Sequence, residues 1–142
     1  HLPDGLSQDS LHMLMTCEPQ IKEIGDLISR TDVLLFGIGT AMRMADQRHI
    51  ADDVRKQLVD NHAVGEALGQ YCDIDGKLIY STNNIGLSLP DVAKIPNVIA
   101  VAGGQDKSSA IIGVMRACQK GILIIDEQAA EGMRQLLQIS AL

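Results

Sequence analysis

Apolar positions along this chain change period several times, and each change marks an element. After Ser7, Leu11, Leu14 and Met15 and then Ile21, Ile24, Leu27 and Ile28 recur at the three- and four-residue spacing of a helix face. Pro19 divides them into two helices, because proline suits the first turn of a helix and breaks its interior. The run DVLLFGIG (32–39) is continuous, apolar and closed by glycines, which predicts a buried parallel strand. Short helices are expected over 42–45 and 51–58, the second entered through Asp52 and Asp53. Over 63–72 the period drops to two, placing Val64, Glu66, Leu68, Gln70 and Cys72 on one face of an extended chain. Asp75-Gly76 then predicts a hairpin that returns along 78–80. NVIAVAGG (97–104) predicts a second buried strand, 105–118 a helix ended by Gly121, ILII (122–125) a third strand, and 127–138 a last helix. Breaks are expected at 3–5 and 89–97.

Strands alternating with helices at these spacings predict βαβ units, a parallel sheet and the α/β class. Apolar residues fill 46% of the 142 positions, yet there is one Phe, two Tyr and no Trp, so the core must be aliphatic. The length supports about one domain with a real core. A formal charge of −6 argues against a nucleic-acid module with a basic face, and the scarcity of aromatics against a stacking platform for single strands. Cys17, Cys72 and Cys118 show no C-x-x-C spacing, so we expect buried, reduced thiols in a cytoplasmic protein. No apolar run approaches the ~18 residues of a membrane span, and no charged-then-apolar leader suggests secretion. The chain opens at His1 rather than Met, and upstream sequence is expected.

Ligand sites in open α/β sheets lie at the carboxyl ends of strands. After the second strand, Gly103 and Gly104 permit a tight turn with nothing to block a ligand, and the next helix offers its N-terminal N–H groups. Lys107 enters that helix in its first turn. A cation there is unfavourable by roughly 0.3–1 kcal/mol, a cost explained if an anion normally sits beside it. A plain turn with an exposed lysine explains the same residues. Ser108 and Ser109 add hydroxyls of little weight. After the first strand, Gly37 and Gly39 begin GIGTAM, which fails the dinucleotide fingerprint because Met42 stands where its third glycine belongs. What remains is a glycine-rich turn with Thr40 nearby and Arg43 and Arg48 just beyond; either arginine could reach a phosphate, or both could be solvated. Glu66, among small and apolar residues, needs a partner, a ligand hydroxyl or an exposed edge. Asp126 and Glu127 are explained as the cap of the last helix. The four histidines show no metal-ligand spacing, and there is no G-x-S-x-G elbow or Cys–His pair. The residues describe a binder more than an enzyme, with no catalytic residue, metal or cofactor expected.

The segments DVLLFGIGTAMRMA, NHAVGEALGQYCDIDGKLI and IPNVIAVAGGQDKSSAIIGVMRACQKGILIIDEQAA together resemble the sugar-binding effector domain of SorC-type bacterial transcriptional regulators. The resemblance runs from about Leu6 to Leu137, and its most specific part is AVAGG-x-x-K-x-x-AI followed by a strand ending in Asp-Glu. It implies a Rossmann-like, mostly parallel sheet with flanking helices, of the glucosamine-phosphate deaminase and ribose-phosphate isomerase type. It further implies that Lys107 binds a phosphate, that Glu66 binds sugar hydroxyls, and that Arg48 assists at a phosphate. The turns at Gly37, Gly39, Gly103 and Gly104 would lie against the ligand. Gln47 departs from the pattern, standing beside Arg48 where a member of the family has a basic residue. The implied effector is a phosphorylated sugar such as fructose 1,6-bisphosphate. The implied partners are operator DNA, through an N-terminal helix-turn-helix that 1–142 does not contain, and further copies of the chain. On this reading 1–142 is part of an effector domain, without the DNA-binding domain and the first ligand loop. The alternatives are a sugar-phosphate isomerase or deaminase, for which Glu66 is the sole candidate base, and a nucleotide-binding module.

Overall fold

The computed structural model describes residues 6–83 and 86–138; the break expected at 3–5 lies outside them. Helix α1 (Gln8–Cys17) begins where the Ser7 hydroxyl accepts the Ser10 N–H at 3.1 Å, and α2 (Pro19–Ser29) begins on its proline. The apolar run that follows is split between two sheets. Strand β1 (Val33–Gly37) enters the first, and after Ile38 the chain turns into β2 (Gly39–Thr40) of the second. Helices α3 (Ala41–Gln47) and α4 (Asp52–Asp60) are both longer than their apolar spacing predicts.

The stretch over 63–72 is not one strand. It folds back as β3 (Gly65–Ala67) and β4 (Gln70–Cys72), joined by Leu68 and Gly69, both at positive φ (55° and 78°). That is the backbone of a tight hairpin turn whose twist matches its strands. Glu66 therefore stands opposite Tyr71, and the single face expected for Glu66, Gln70 and Cys72 does not exist. The hairpin predicted at Asp75-Gly76 is present, with β5 (Leu78–Ser81) as its return strand. Strands β2, β3, β4 and β5 make a four-stranded antiparallel sheet, larger than the small hairpin expected.

Within 89–97, read as a break, Ser88 and Asp91 form a reciprocal capping box that starts α5 (Leu89–Val92). Strand β6 (Asn97–Ala102) leads through a 3₁₀ turn (Gln105–Lys107) into α6 (Ser108–Cys118), then β7 (Ile122–Ile125) and α7 (Glu127–Leu136). Gln119, at φ 55°, ends α6 two residues before the expected Gly121. Strands β1, β6 and β7 form a parallel sheet in the order β1-β6-β7. The molecule is α/β, with this parallel sheet and the antiparallel one flanked by helices.

The main core lies on one side of the parallel sheet. Phe36, Val98, Ala100 and Ala102 from its strands meet Leu89 and Val92 of α5, Ile111 and Val114 of α6, and Ala129 of α7. It is aliphatic apart from Phe36, as composition requires. The strands are not buried throughout, as their apolar runs predict they would be: Val33, Leu35, Val101, Ile122 and Ile124 are exposed. Cys72 and Cys118 are buried as expected, whereas Cys17 on α1 is exposed. Among the described residues no helix is long and apolar enough to cross a membrane, and no cluster of residues has the make-up of a metal site.

Candidate functional site

At the carboxyl ends of β1 and β6, where the parallel sheet gives way to the antiparallel one, lies an open cavity of about 530 Å³. That volume is in the range of small-molecule sites. Phe36, Gly37, Ile38 and Gly39 form its floor, α3 contributes Arg43, Met44 and Gln47, with Arg48 just past its end, and Glu66, Leu68, Val101 and Lys107 complete the lining.

Glu66 is 3% exposed. A buried carboxylate is costly unless its oxygens are satisfied, and here Oε1 accepts the Gly69 N–H at 2.7 Å and a guanidinium N–H of Arg48 at 3.3 Å. The β3–β4 turn thus supplies one donor and the end of α3 the other. Arg43 and Gln47, four apart on α3, reach the same cavity, as do Met44 and Arg48; this is the spacing at which helical side chains become neighbours.

Lys107 reaches the cavity from a different element. It closes the 3₁₀ turn and serves as the N-cap residue of α6, its own N–H bonded to the Gly104 carbonyl at 3.1 Å. Arg43, Arg48 and Lys107 set three cations against one carboxylate around the cavity, within a chain whose net charge is −6. A cleft of one sign focuses the field on an ion of the other.

Two other large cavities lack this chemistry. One of about 420 Å³ beside α1, α2 and α5 contains Lys94, whose ammonium is bound to Asp91 at 2.6 Å. One of about 720 Å³ between α1 and β5 carries no Lys or Arg.

Of the residues singled out from sequence, Gly37, Gly39, Arg48, Glu66 and Lys107 come together here. Gly103 and Gly104 do not line the cavity. Their turn is occupied by the Asp126 carboxylate, whose Oδ2 accepts the Gly104 N–H at 2.9 Å, while Oδ1 accepts the Ala129 N–H at 2.8 Å and caps α7. A β-carbon on Gly103 would stand 2.7 Å from Oδ2, so any side chain there would push the Asp126 carboxylate from its place. Arg43, weighed but not selected from sequence, belongs to the lining; its i, i+4 relation to Gln47 is the signal that could have found it.

A family model described as "Putative sugar-binding domain" matches residues 1–135. The central glycolytic genes regulators of Bacillus subtilis and Priestia megaterium are 36% and 37% identical to this chain over 92% of its length. The chain spans 38% of the length of each. Among solved structures, one described as a "putative SorC family transcriptional regulator from Enterococcus faecalis" superposes with a TM-score of 0.81 at 38% identity, covering 90% of this chain and 52% of that one. The full-length sorbitol operon regulator SorC of Klebsiella pneumoniae, at 21% identity and a TM-score of 0.76 over 94% of this chain and 44% of its own, shares the fold. Fold, lining residues and these likenesses agree: the chain belongs to the sugar-binding domain family of SorC-type transcriptional regulators.

Proposed function

We propose that this chain is part of the effector-binding domain of a bacterial regulator of carbohydrate metabolism, and that its cavity takes a phosphorylated sugar such as fructose 1,6-bisphosphate. The observation that carries this reading is the excess of cations around a cavity that also holds one fixed carboxylate. Phosphate oxygens suit Lys107, Arg43 and Arg48, and sugar hydroxyls suit Glu66. Ligand would bias the arrangement of subunits, and operator DNA would be read by a helix-turn-helix outside residues 1–142, in a cytoplasmic oligomer. The protein binds the sugar rather than converting it: an isomerase or deaminase needs a general base at the sugar carbonyl, and Glu66 Oε1 is engaged with Arg48 and Gly69.

Thermal unfolding with fructose 1,6-bisphosphate, hexose monophosphates, free sugars and inorganic phosphate tests the reading. A ligand at a hundredfold excess over its Kd stabilises by about 2.7 kcal/mol, a rise of roughly 8 °C in Tm for a domain of this size. The expected result is a rise with one sugar phosphate, absent with free sugar and lost in Lys107→Met. A rise that persists unchanged in Lys107→Met would move the site elsewhere.

A further inference from the structure

The three cations that line the cavity are not equivalent. The Arg48 guanidinium donates to Glu66 Oε1 at 3.3 Å, and the carboxylate it meets is almost fully buried. An anion that came to Arg48 would also come to Glu66, and repulsion between like charges opposes that approach. The positive charge of Arg48 is thus balanced within the protein.

Arg43 stands differently. It lies five residues earlier, on α3, and is exposed at the cavity. Its side chain has no hydrogen bond or ion pair among the described residues. The acid that the helix places within its reach is Asp46, three residues on. Asp46 is instead bonded to Arg55 of α4. Gln47, the next position on the same strip of α3, brings an amide to the cavity but no charge. Lys107, from the 3₁₀ turn, is likewise unpaired among the described residues.

Once Arg48 and Glu66 cancel, the lining keeps two cations from two elements, with no carboxylate to balance them. A phosphate ester carries about −1.5 to −2 near neutral pH, which matches that charge. Resting on the sugar-phosphate reading of the cavity, we infer that Arg43 is the arginine that meets the phosphate, together with Lys107. The charge of Arg48 answers Glu66.

Isothermal titration of the full-length protein with fructose 1,6-bisphosphate and fructose 6-phosphate tests this, beside thermal unfolding of each unliganded variant. Arg43→Gln is expected to weaken binding at least tenfold, and Arg43→Lys to recover most of that loss. Combining Arg43→Gln with Gln47→Arg moves the cation one turn along the same strip and should recover part of it. Because Arg43 is exposed and pairs with no described residue, Arg43→Gln should leave the unliganded Tm within about 2 °C of wild type. Wild-type affinity in Arg43→Gln, with Lys107→Met impaired, returns the contact to Arg48 and overturns the inference. A loss that lysine does not relieve, or one accompanied by a lowered unliganded Tm, makes the role of Arg43 structural and overturns it equally. If neither ester binds the wild-type protein, the sugar-phosphate reading itself fails, and the role of Arg43 with it.

Discussion

Arg48 and Glu66 lie 18 residues apart in sequence and meet at 3.3 Å on the cavity wall. The guanidinium is about a quarter exposed and the carboxylate almost fully buried. The pair lets a negative group remain inside a cavity whose other charged residues are cations. It also ties the end of α3, which carries Arg43 and Gln47, to the β3–β4 turn.

Removing Arg48 takes a cation away from a buried carboxylate, so Arg48→Met is expected to cost about 2 kcal/mol. Glu66→Gln keeps an acceptor for the Gly69 N–H and costs less. In the double variant the penalty falls short of the sum by about 1 kcal/mol, because the buried negative charge is gone. Urea unfolding of the four proteins measures this. Additivity within about 0.3 kcal/mol would mean that the contact carries no energy.

Asp126 joins two elements through one carboxylate, the Gly103–Gly104 turn by Oδ2 and the start of α7 by Oδ1. Loss of an N-cap costs about 1–2 kcal/mol. Asp126→Ala is expected to exceed Asp126→Asn in destabilisation by about 1 kcal/mol, since asparagine retains an acceptor oxygen. Because Lys107 leaves the same turn, Asp126→Ala should also weaken sugar-phosphate binding severalfold. Calorimetry on the alanine variant showing wild-type affinity would uncouple the turn from the site.

These particulars divide what the sequence announces from what it conceals. The three parallel strands, α6 and α7 are legible because each has its own apolar period and its own punctuation. Lys107 is legible as an oddity, a cation at a helix start. Arg48 and Glu66 are each visible, but their contact is not, since it depends on where α3 ends relative to Glu66, 18 residues on, and to the turn that follows it. That turn is itself hidden. Leucine is a poor residue for positive φ, so Leu68 interrupts the alternation without any turn signal except Gly69. The double glycine is legible as a tight turn and misleading about its occupant, because Asp126 is 22 residues away. The open sheet face is invisible for a plainer reason: an apolar run reads as buried whether or not both of its faces are covered.

Gly113 tests the contact between α6 and the antiparallel sheet. Alanine is ordinarily better than glycine in a helix interior by about 0.5–1 kcal/mol. Here a β-carbon would run into the Asp73 carbonyl oxygen and come within 2.9 Å of Val64 Cγ2. The backbone oxygen cannot step aside, so overpacking of about 1–3 kcal/mol outweighs the propensity gain. Gly113→Ala is therefore expected to lower the urea midpoint, whereas a rise would show that α6 can move off the hairpin.

The two buried thiols set a limit on alkaline stability. Burial, with added repulsion from Asp73, pushes Cys72 up to about 12, and burial pushes Cys118 up to about 11. Both are therefore neutral in the fold across the range where unfolded cysteines, near 9.0, begin to ionise. A raised folded-state pKa contributes stability that is complete below the unfolded value and is lost as pH climbs from there through the folded one. Unfolding free energy should thus decline between about pH 9 and pH 11–12. Lysines and tyrosines titrate in the same window, so the informative quantity is the difference from Cys72→Ala/Cys118→Ala. That variant is destabilised at pH 7 by its smaller side chains, and its curve should fall less steeply above pH 9. Parallel curves for the two proteins would show that the thiols ionise in the fold as readily as in the unfolded chain.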